Sequence, residues 1–242
     1  MSTSTSHGVA GRELAAEPSL PQADSAKASG APGAAVIRRN SVQPTRRAVL
    51  HVQAPGDPSA PPELASWFTE RAFHYYATGL RLPPAARLTV RRAGRRAGRQ
   101  AGRDLRDACT DLDAACARVR GPDGMASVIV TARGRAAVAA ALWADSQPAR
   151  ADALILSAPA WPRGGFRLAI ACPVLVIGDE GSQAATGPWP RRARGRSVPR
   201  QLGSHVTWLT LVGAGGDQRP LLEELGRWLG AYMYGSLRDQ LL

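Results

Sequence analysis

Residues 126–144, ASVIVTARGRAAVAAALWA, constrain this chain more than any other stretch. Val128, Ile129 and Val130 form a continuous apolar run, the pattern of a strand buried on both faces. A tight turn at 132–136 follows, and then an alanine-rich helix that ends near Leu142 and Trp143. A buried strand feeding straight into a helix is half of a βαβ unit. Such units build parallel sheets, which need cover on both faces.

The remaining segments repeat that alternation. Residues 35–38 and 47–52 read as strands, 63–72 as an amphipathic helix carrying Leu64, Trp67 and Phe68, and 73–80 as a strand. Residues 104–119 read as a helix with Leu105, Ala108, Cys109, Leu112, Cys116 and Val119 inward. Strands at 153–156, 174–177 and 206–212 precede a closing helix at 220–234, where Pro220 suits a first turn. The expected fold is therefore α/β, a mostly parallel sheet flanked by helices. Residues 1–34 are rich in Ser, Ala, Gly and Pro without apolar period, and are expected to be a disordered tail ahead of one domain at 35–242.

The chain has 242 residues and a formal net charge of +12. That charge admits two explanations. One is an anionic partner. The other is codon bias, because Lys27 is the single lysine among the 31 basic residues and Gly, Pro and Ala are abundant. Cys109, Cys116 and Cys172 lack metal-ligand spacing and form no even framework. No metal, cofactor or disulfide is expected, and a cytoplasmic, reducing location is. No apolar run approaches membrane-spanning length.

The order of elements resembles the α/β-hydrolase superfamily, above all its lidded bacterial serine esterases and lysophospholipase-like members. The resemblance rests on the phrases 47–51, 75–77, 112–115, 140–144, 172–176 and 227–229, and covers about residues 35–235. It implies a serine on a strained G-x-S-x-G turn between strand and helix. Here that turn reads Ala132-Arg133-Gly134-Arg135-Ala136, with Gly134 at the serine position. The acid position falls on Gly181 and the base position on Gly216. The oxyanion positions fall on Val52, where the family has glycine, and on Arg135. The 157–172 connection leaves no room for the family's cap, so the fold is expected to be lidless. A triad needs nucleophile, base and orienting acid within hydrogen-bond reach, and these matches supply none of them.

Two residual chemistries remain open. His51, Ser157 and Asp179 lie near the expected functional edge and form a conceivable relocated set. Of the other histidines, His74 reads as structural, His205 as a loop residue, and His7 lies in the tail. Arginines are the second source. Residues 91–103 repeat every four residues and place Arg91, Arg95, Arg99 and Arg103 in a stripe, with Arg92 and Arg96 beside it. Its glycines are expected to keep it flexible until it binds. Arg191, Arg192, Arg194 and Arg196 form a second cluster, and Arg133 and Arg135 flank the turn. Together they outline a candidate anion-binding surface. The sequence thus points to a hydrolase-like protein without the ancestral reaction, with a binding or structural role and an anionic or protein partner. A diverged carboxylic-ester hydrolase and an Arg-rich nucleic-acid binder are the alternatives.

Overall fold

The computed structural model describes residues 36–56, 62–82, 95–161, 167–179, 201–203, 206–211 and 219–240. Seven strands form one sheet in the order β1-β3-β2-β4-β5-β7-β9. They are β1 (Ile37–Arg39), β2 (Arg47–Gln53), β3 (His74–Gly79), β4 (Ser127–Arg133), β5 (Ala153–Ser157), β7 (Val174–Asp179) and β9 (Val206–Leu211). Only β1 runs antiparallel; every other pairing in this sheet is parallel. The expected α/β architecture is borne out.

Two apolar layers cover the sheet. On one face lie α2 (Arg95–Arg120) and α3 (Gly134–Ser146), packed on Leu50, Val52, Val128, Val130, Leu154 and Val176. On the other lie α1 (Pro62–Glu70) and α4 (Arg219–Gln240), packed on Val49, Ile129, Ile155 and Leu175. Alternate residues of the central strands serve opposite faces, so the strands must be apolar throughout. The inward faces of α1 and α2 match the sequence pattern, and Cys116 is fully buried as an apolar filler.

Three findings depart from the sequence reading. First, α2 begins at Arg95, so the repeat is helical from that residue on and not a flexible segment. Its glycines each cost about 1 kcal/mol against alanine, yet extension from the packed 104–120 helix needs no new nucleus. Residues 91–94 lie outside the described residues. Second, the connection after β5 holds a strand, β6 (Arg167–Ile170), which pairs in parallel with β8 (Gln201–Gly203) in a separate two-stranded sheet. Leu168 and Ile170 of β6 join the layer that contains α3. Third, β3 starts at His74 rather than Phe73, because Ala72 takes a left-handed φ of 61° just before it.

Polar ties fix the layers at named points. The Trp143 indole of α3 donates to Asp113 Oδ1 of α2 at 3.0 Å, joining two phrases that sequence spacing alone had separated. Asp111, buried on α2, accepts from the Arg81 backbone N–H at 2.9 Å and from its guanidinium at 2.7 Å. At the amino edge of the sheet, Asp152 Oδ2 accepts from Arg120 and from the Val128 backbone N–H, both at 2.6 Å. Asp152→Ala removes an acceptor shared by two charged or backbone donors. We expect a loss of about 2 kcal/mol in urea denaturation, with an unchanged denaturant slope.

Candidate functional site

The strand–turn–helix of residues 126–144 is a true elbow. β4 ends at Arg133, which is extended (φ −124°, ψ 154°), and the chain reverses at Gly134, with φ +58°. That φ lies in the left-handed region, where a Cβ costs roughly 1–2 kcal/mol. Glycine removes both the strain and the side chain. The turn is held from the neighbouring strand: the Ala160 N–H donates to the Gly134 carbonyl at 2.9 Å. Ala158, between them and β5, itself takes a left-handed φ of 42°.

Arg135 follows the elbow and is buried, with 8% exposure. Its guanidinium donates to the Pro55 carbonyl in the β2–α1 connection. An arginine in a sequence reads as surface charge. This one crosses from the elbow to the loop beside it and is spent on a backbone carbonyl. It is therefore corrected from an exposed anion-binding candidate to a buried tether. Arg133 is half-buried.

Val52 is also corrected. It lies inside β2, fully buried, paired with Thr78 on one side and Ala132 on the other. Its backbone belongs to the ladder and does not face the elbow as an oxyanion turn must. The loop that does face the elbow comprises Ala54, Pro55 and Gly56, with Gly56 at φ +79°. The Pro-Gly pair was the available signal in the sequence.

The strand register spaces His51, Ser157 and Asp179 apart along the sheet. His51 pairs with Thr131, Thr131 with Ile155, and Ser157 lies two residues beyond Ile155. Two strand spacings and two residues separate His51 from Ser157, about 12 Å between Cα atoms. Asp179 ends β7, two residues past the partner of Ser157. His51 is buried at 6% exposure and stacks on Tyr75, with centroids 6.1 Å apart. Neither its Nδ1 nor the Tyr75 hydroxyl has a hydrogen-bond partner. Burial lowers the His51 pKa from 6.5 to about 4, so the ring is neutral at pH 7. His74 is structural, as expected: its Nδ1 accepts from the Ser41 N–H at 3.2 Å and its Nε2 lies 3.2 Å from the Thr45 carbonyl.

β7 and β9 are parallel neighbours that end on the same edge as β4. Gly181, Gly216, Arg191, Arg192, Arg194, Arg196 and His205 lie outside the described residues. So do Arg91 and Arg92. Arg103 is exposed on α2, and the backbones of Arg95, Arg96 and Arg99 form its first turns. No group of metal-ligating side chains occurs among the described residues.

The same architecture recurs in solved structures. Est1E from Butyrivibrio proteoclasticus, described with ferulic acid bound, superposes with a TM-score of 0.59 over 83% of this chain and 96% of its own, at 9% identity. A carboxylesterase from Mesorhizobium loti gives 0.57 over 81% and 94%, at 13% identity. The chain has the α/β-hydrolase fold. An alpha-beta serine hydrolase homologue from Coxiella burnetii gives 0.52 over 80% and 90%, at 15% identity. No family model matches the sequence, and no curated protein does. Within this fold, the turn between β4 and α3 is glycine.

Two outcomes follow. Gly134→Ala should lower stability by about 1 kcal/mol in urea denaturation, because alanine must adopt φ +58°. The His51 shift also has a sign. Below pH 6.5 the unfolded chain binds a proton at this residue that the folded chain refuses until about pH 4. Stability is therefore lost as pH falls through that window, by about 3 kcal/mol from this group. Burial also lowers the His74 pKa, which acts in the same direction. His51→Phe should flatten the acid side of a stability–pH curve; an unaltered curve contradicts the assignment.

Proposed function

We propose that this protein is a non-catalytic member of the α/β-hydrolase fold, with a binding or structural role. One observation carries the proposal. The elbow position that must present a nucleophile is Gly134, and the next side chain, Arg135, is fastened across to Pro55. A glycine has no atom with which to attack a carbonyl. The nearest buried histidine stacks on Tyr75 instead of orienting toward a hydroxyl. The neighbours' esterase chemistry is theirs; what this chain shares with them is the frame.

Ser157 supports the rival reading, a diverged carboxylic-ester hydrolase, since it closes β5 opposite Arg133 on the elbow strand. The register that sets it about 12 Å from His51 weighs against that reading. The three free cysteines fit a reducing, cytoplasmic location. Among the described residues, no helix is long and apolar enough to cross a membrane.

Incubation with a fluorophosphonate probe, alongside turnover of short-chain aryl esters, separates the two readings. We expect no covalent labelling and hydrolysis at the buffer rate. Labelling that disappears in Ser157→Ala, or on replacing any other single serine, contradicts the proposal.

A further inference from the structure

A concentration of arginines lies at the end of the sheet opposite the elbow. The turn after α2, residues 121–126, sits at the amino edge between the starts of β2, β4 and β5. Arginines converge on it from four elements. Arg38 of β1 donates to Asp123 Oδ1 at 3.2 Å. Arg46, before β2, donates through Nε to the Gly124 carbonyl at 3.0 Å. Arg120, at the end of α2, donates to the Ala126 carbonyl at 2.9 Å and to the Arg150 carbonyl at 3.2 Å. Arg118 on the last turn of α2 and Arg150 before β5 are exposed; Arg39, paired with Tyr75, belongs to the opposite face of the sheet and is not part of this cluster.

The carboxylates bonded within this cluster are Asp123 and Asp152, and each is already paired with an arginine. Positive charge is left in excess. Two ordinary explanations account for part of it. Arginine is abundant in this chain, and cations suit helix C-termini, where free carbonyls and the helix dipole attract them. Those explanations cover the N–H groups spent on Gly124, Ala126 and Arg150. They do not cover the remaining donors, since each guanidinium carries five, nor the exposed guanidinium groups of Arg118 and Arg150.

We propose that this amino edge is a docking surface for the phosphate backbone of a nucleic-acid duplex. Guanidinium forks match phosphate oxygens two at a time. Several of them on rigid strand and helix ends suit closely spaced phosphates. The patch presents no exposed aromatic ring on which single-stranded bases would stack; the exposed large apolar side chains of the described residues are Ile37 and Val42. Two aliphatic side chains without an aromatic anchor also disfavour a bilayer. The surface has no means of reading bases, so binding is independent of sequence. This inference stands apart from the elbow: the surface binds or fails to bind whether or not the fold hydrolyses esters.

The test is fluorescence anisotropy of a labelled mixed-sequence DNA duplex across a salt series, using the full chain. The variant Arg118→Gln/Arg150→Gln removes two exposed charges from the patch. The control Arg103→Gln/Arg227→Gln removes two from outside it. Thermal melts confirm that both remain folded. We expect the wild type to bind with strong salt dependence. The patch variant should lose about tenfold or more in affinity, and its log–log salt slope should fall by about 2. The control should stay within about threefold of wild type on the same scale. Absence of wild-type binding overturns the proposal, as does salt-independent binding. Equal or greater loss in the control overturns it too, by placing the contact elsewhere or nowhere in particular. Binding to anionic phospholipid vesicles but not to the duplex overturns it in favour of a membrane surface.

Discussion

Helix α3 is buried on almost every side, and the rest of the molecule is arranged around that constraint. Residues 135–141, Trp143 and Ala144 are all buried. The helix lies against the sheet with α2 and β6 packed over it. Only small side chains let a helix sit in such a space, which is why 136–141 is alanine apart from Val138. Trp143 fills the volume at its far end and ties to Asp113. A helix placed so close to the sheet can be reached from β4 only by a reversal of the chain within one residue. Gly134, at φ +58°, is that residue.

The strand–turn–helix geometry at Gly134 serves the packing of α3. Strain at a functional site persists only where the surrounding structure enforces it. With no side chain to present, the turn adopts glycine and the strain vanishes. Arg135 then takes the adjoining space, binding the Pro55 carbonyl. The loop that might have cradled an oxyanion is instead held shut against the elbow. His51, two residues back on β2, is part of an apolar layer with Tyr75 and Phe68. These features reinforce one another: each adds a buried contact around the elbow.

Much of the fold was legible because two-sided burial leaves a plain mark. Val128-Ile129-Val130, Leu154-Ile155-Leu156 and Val174-Leu175-Val176 are apolar without alternation, and all three are central strands. The elbow was legible from the join of such a strand to alanines. β6 was not, since Arg167 and Ala169 give it no continuous apolar run and its pairing with β8 is remote in sequence. Val52 lies inside β2 because β3 and β4 pair with that strand on both sides and carry the ladder through it. The burial of Arg135 was hidden by its charge, although its setting among buried alanines was the clue.

The central claim is that the losses at the elbow are concerted, so that the serine is one absence among several. Intact-mass analysis of the folded Gly134→Ser variant after fluorophosphonate treatment tests this most directly. The account predicts an unmodified mass, because the buried His51 stacks on Tyr75 and the residue after position 134, Arg135, is tied to the Pro55 carbonyl. A stoichiometric adduct at position 134 would contradict it.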